Sequence, residues 1–61
     1  MKTEVSISEE QFYDILFDNQ NSVVEKQSVT SQIHVTSLVV NGVLKAWREI
    51  TAEGIVFMGY K

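Results

Sequence analysis

The chain has 61 residues, enough for one domain, and a chain of this size buries only about 60% of its unfolded surface, so no enclosed active site is expected. It has no cysteine, which excludes disulfides and Cys-ligated zinc as staples, and its 44% hydrophobic content is that of a folded chain. Five basic residues against eight acidic ones leave a net charge of -3, the wrong sign for a phosphate backbone, so direct nucleic-acid binding is not expected.

Lys2 to Ile7 alternates, with Thr3, Val5 and Ile7 on one side and Lys2, Glu4 and Ser6 on the other, the period of a half-buried strand. The start, Met1-Lys2-Thr3-Glu4, has no basic segment followed by an apolar run, so no secretory signal is read and a cytoplasmic location is expected. Ser8-Glu9-Glu10-Gln11 is a capping box that opens a helix. At 100° per residue, Phe12, Ile15 and Leu16 share one helix face, Glu10, Asp14 and Asp18 the opposite one, and Tyr13 and Phe17 the shoulder between them. Asn19-Gln20-Asn21-Ser22, poor in helix propensity, ends it.

Val23 to Ser28 is compatible with a strand or with a loop packed under the sheet. From Val29 to Val39 the odd positions Val29, Ile33, Val35 and Val39 are apolar and the even positions Thr30, Gln32, His34 and Thr36 are not, which predicts a long strand. Asn41-Gly42 between Leu38-Val39-Val40 and Val43-Leu44 is the strongest hairpin signal in the chain, since a type I′ turn needs positive φ at both central residues. An unbroken register then sets Val39 opposite Leu44, Ser37 opposite Ala46, Val35 opposite Arg48 and Ile33 opposite Ile50. A second hairpin through Thr51-Ala52-Glu53-Gly54 pairs Ile50 with Ile55, Arg48 with Phe57, Trp47 with Met58 and Ala46 with Gly59.

The fold class that follows is α+β, a single domain over residues 1–61 in the order β-α-β-β-β, with an antiparallel three-stranded meander and one helix on one sheet face. The row Ser37-Ala46-Gly59 would carry no bulky inner side chain and would seat Phe12 and Leu16, flanked by Val39 and Leu44 on one side and Ile33, Val35, Ile50, Ile55 and Phe57 on the other. Arg48 is the misfit on this side; a one-residue bulge would turn it outward, or its stem would lie on apolar surface and reach an acid at the rim.

The opposite face would carry Leu38, Val40, Val43, Trp47, Val56, Met58 and Tyr60, interrupted by His34, Thr36, Lys45 and Glu49. That is too apolar to stay wet: either residues 20 to 28 cover it, or another protein or a second copy does. Trp47 beside Met58 and Lys45 beside Tyr60 would add sulfur-aromatic and cation-π contacts.

Catalytic chemistry finds little to stand on. His34 is the sole histidine and would face Glu49 as a cross-strand pair on an open sheet, with no nucleophile or concavity beside it. One histidine without cysteine falls short of a metal site, and no cofactor, small-molecule substrate or bilayer-spanning segment is expected. The sequence therefore predicts a non-enzymatic protein-binding module, a small inhibitor or regulator. Trp47, Met58, Tyr60, Leu38 and Val43 on the sheet, with Glu10, Asp14, Asp18, Tyr13 and Phe17 on the helix, are its candidate partner-binding residues. A homodimer formed through the sheet is one alternative. Another is an acidic nucleic-acid mimic that blocks a basic site, a device of bacterial or phage accessory proteins.

Overall fold

A computed structural model describes residues 3–61; Lys2, the expected first residue of the opening strand, and Met1 lie outside them. Six elements follow in order: β1 (Glu4–Ser6), α1 (Glu9–Leu16), β2 (Val23–Val29), β3 (His34–Val40), β4 (Val43–Thr51) and β5 (Gly54–Tyr60). All five strands join one antiparallel sheet in the order β1-β5-β4-β3-β2. The ambiguous segment after the helix is therefore a strand; it takes in Val29, and a turn closed by the Thr30 N–H on the Ile33 carbonyl at 2.9 Å interrupts the single long strand expected from Val29, so the meander has four strands where three were expected. β1 closes onto β5, with Val5 opposite Gly59, and the Lys61 N–H donates to the Thr3 carbonyl at 2.8 Å.

This order forces the helix across the sheet. The chain leaves β1 at one edge and must enter β2 at the other, a span of about 19 Å for five strands spaced ~4.8 Å apart. An eight-residue helix covers ~12 Å of it, and residues 17–22 supply the rest. The capping box forms: the Gln11 N–H donates to Ser8 Oγ at 3.1 Å and the Ser8 N–H to Gln11 Oε1 at 2.9 Å.

The Asn41-Gly42 turn forms with φ of 51° and 83°, and pairs Val39 with Leu44 as expected. The next pair is Leu38 with Ala46, so Lys45 is the extra residue of a bulge. That single residue overturns the predicted register between β3 and β4. Ser37 lies opposite Trp47, Thr36 opposite Arg48 and His34 opposite Ile50, and the even positions of β3 face the helix. Leu38 and Thr36, expected outside, are buried, whereas Val35 and Val39 move to the outer side. Val40 and Val43, which pair at the turn, leave the outer side as well. The second hairpin keeps its predicted register, with Ile50 opposite Ile55, Arg48 opposite Phe57 and Ala46 opposite Gly59.

The core is correspondingly small. Phe12, Leu38 and Ala46 are fully buried, with Ile7, Tyr13, Ile15, Leu16, Val23 and Phe57 packed around them. The shallow row under the helix is Leu38-Ala46-Gly59-Val5, and Gly59 is where the chain approaches most closely: a Cβ there would stand 3.2 Å from Ile7 Cγ2 and 3.4 Å from the Lys45 carbonyl. Arg48 stays on the helix side, because the bulge rephases β3 and not β4. Its guanidinium reaches no acid: Nη1 donates to the Tyr13 hydroxyl at 2.9 Å, Nη2 to Thr36 Oγ1 at 3.3 Å, and the group lies 5.7 Å from the centre of the Phe12 ring.

Candidate protein-docking face

The helix occupies one side of the sheet, and among the described residues no element packs on the other. The alternative in which residues 20 to 28 fold over it fails for a geometric reason: Val23–Val29 is hydrogen-bonded edge-on to β3 and widens the face. The register lays out three rows on this outer side. Ser28, Val35, Glu49 and Val56 form one, and Lys26, Ser37, Trp47, Met58 and Ser6 the middle one. Val24, Val39 and Leu44 make the third, and Tyr60, two residues after Met58 on β5, shares their side of the sheet.

Trp47 is the centre of the middle row, with Met58 directly across and the Tyr60 ring at 5.3 Å and 59°. The indole is half-buried by these neighbours, while Val24 and Val56 keep 49% and 45% of their surface and Leu44 is also exposed. Of the sheet residues expected to bind a partner, the structure brings Trp47, Met58 and Tyr60 together and removes Leu38 to the core and Val43 to the turn. Val24, Val35, Val39 and Leu44 belong to the face and were missed. All four follow from the Lys45 bulge or from the pairing of β2, and neither leaves a local mark in the sequence.

The acidic helix face comes out shorter than expected. Glu10 and Asp14 are exposed on α1, but the helix ends at Leu16, and Asp18 turns back to bind the loop. Its carboxylate accepts from the Gln20 N–H at 2.8 Å and from Asn21 Nδ2 at 2.6 Å, and these two bonds, the backbone one foremost, hold its pKa below the ordinary 3.8. Tyr13 packs edge-on against Phe12 at 5.3 Å and stacks on Phe17 at 6.0 Å, which leaves Phe17 71% exposed at the rim. His34 does not meet Glu49; its Nε2 lies 3.0 Å from Gln27 Oε1, on the helix side of the sheet. Among the described residues no three metal-binding side chains cluster, and no helix is long and apolar enough to cross a membrane.

Sheet, crossing helix and open apolar face together define a small two-layer α+β domain. Across its whole length, residues 1–61, the chain matches the profile of the phage T4 Cef protein family, and it belongs to that family. Comparison with curated proteins and with solved structures gave no match.

Proposed function

We propose that the protein is a non-enzymatic protein-binding module, of the kind that inhibits or regulates by occupying a surface, and that it docks through the sheet face centred on Trp47. The observation that supports this reading is the composition of that face. Eight apolar side chains from β2, β3, β4 and β5 lie side by side, among the described residues no strand or helix packs over them, and Trp, Met and Tyr, the types enriched at interface centres, occupy the middle. Charged groups stand at intervals rather than in a cluster: Lys26, Lys45, Glu49 and Glu4. They favour one orientation of a partner over another without removing the apolar area that drives association.

Oxidative footprinting tests this directly. Trp47, Met58 and Tyr60 should react readily in the dilute purified protein and lose that reactivity in an extract of phage-infected bacteria, whereas Phe17, outside the face, should react equally in both. Unchanged oxidation of all three in the extract would overturn the reading.

A further inference from the structure

Resting on the docking reading above, we propose that the occupant of the outer face is a second copy of this chain, packed sheet against sheet about a two-fold axis that passes over Trp47 perpendicular to the strands.

The argument is one of symmetry. In an isologous interface a two-fold brings each residue onto the residue it replaces on the partner, so a suitable patch must be alike in its apolar positions and opposite in its charges on the two sides of the axis. The outer face has this form about the row Ser37-Trp47-Met58. On β3, Val35 and Val39 flank Ser37; on β5, Val56 and Tyr60 flank Met58; all four are apolar or aromatic. On β4, Glu49 lies two residues after Trp47 on the same outward side, and Lys45, the exposed extra residue of the bulge, lies two residues before it. The proposed axis therefore sets Lys45 of each copy over Glu49 of the other, with the two indoles at the centre. An axis parallel to the strands would set lysine over lysine and glutamate over glutamate, and is disfavoured. Lys26, on edge strand β2, sits where two twisted sheets packed at about 30° diverge and its ammonium can stay in water.

Area points the same way. The chain exposes 4547 Å², where a monomer of 6.9 kDa typically exposes about 4,000 Å². The excess of roughly 500 Å² is surface that a second copy could cover.

Sedimentation equilibrium of the full chain over about 1 to 500 µM, with oppositely charged variants, decides it. The wild-type mass should rise with concentration towards twice 6.9 kDa. Lys45→Glu makes the outward side of β4 acidic on both sides of the indole, and Glu49→Lys makes it basic on both; each alone should dimerise at least about tenfold more weakly. An equimolar mixture of the two should recover the wild-type mass, because the repulsive pairs become attractive ones. A wild-type chain that stays monomeric throughout overturns the second-copy occupant; if Trp47 is still protected in extract, the docking face itself stands. A wild-type dimer that both variants form equally well, or variants that the mixture does not rescue, overturns the proposed axis and its pairing of Lys45 with Glu49.

Discussion

Arg48 and Tyr13 tie the sheet to the helix through one bond: Nη1 of the guanidinium donates to the tyrosine hydroxyl at 2.9 Å, across a separation of 35 residues in sequence. Among the described residues the cation is held by hydroxyls and a ring face, and its buried Nε finds no acceptor. An incompletely satisfied cation is sensitive to losing a partner, yet its outright replacement by an apolar side chain can be neutral. Tyr13→Phe should therefore cost about 1 kcal/mol in urea unfolding, and Arg48→Met less than that. In the Arg48→Met background the tyrosine change should cost little, which the double-mutant cycle reads as coupling.

Gly59 sits beneath Ile7, where a methyl group would stand 3.2 Å from Ile7 Cγ2, closer than ordinary contact. Gly59→Ala should lower stability by about 1 kcal/mol through overpacking, since Ile7 must yield by a few tenths of an ångström while the Lys45 carbonyl, at 3.4 Å, stands at ordinary contact distance. Ile7→Ala removes the closer obstacle, so the glycine substitution should cost less in that background.

Asn41 serves the turn and the loop opposite it. Besides adopting φ of 51°, it accepts from the Ser22 N–H through Oδ1 at 3.1 Å and donates through Nδ2 to Asn21 Oδ1 at 3.0 Å. Asn41→Gly retains the turn and loses the clasp, so it should be milder than Asn41→Ala, which loses both; the latter should cost about 1 to 2 kcal/mol in thermal or urea unfolding. Hydrogen exchange at the Ser22 amide should accelerate in both variants.

How far the sequence could be read depended on whether the deciding information was local. The Ser8 and Gln11 cap, the Asn41-Gly42 turn, the β4–β5 register and the outward position of Trp47 each follow from a few adjacent residues. The bulge does not. Lys45 continues the alternation of β4 without interruption, and only the demand that Leu38, rather than Ser37, sit beneath Phe12 selects the shifted pairing. β2 was ambiguous because Glu25, Lys26, Gln27 and Ser28 lie on an edge strand with no buried side, so no period is imposed. The candidate site divides the same way: Trp47, Met58 and Tyr60 share a parity the second hairpin fixes, whereas Val35, Val39 and Leu44 depended on the bulge.

Asp18 gives a pH dependence with a definite sign. Its folded pKa lies below the ordinary value because the charged carboxylate accepts from Gln20 and Asn21, so the folded state holds its proton less tightly than the unfolded state. The stabilisation is complete above the unfolded value of 3.8 and is lost as pH falls through the lower folded value. Asp18→Asn should accordingly flatten the acid limb of the stability profile below pH 4, and a carboxyl-carbon NMR titration should place the Asp18 midpoint below 3.8.

The bond between Thr3 and Lys61 makes the two ends of the described chain immediate neighbours on one sheet border. A linker of a few residues can join them with a small loss of loop entropy, and the ring so formed can be reopened at the exposed Ala52-Glu53 bend without cutting the helix crossing. Such a circular permutant retains every strand pairing while β4 and β5 are separated in synthesis. It would show whether the second hairpin must form as a contiguous piece for the sheet to assemble.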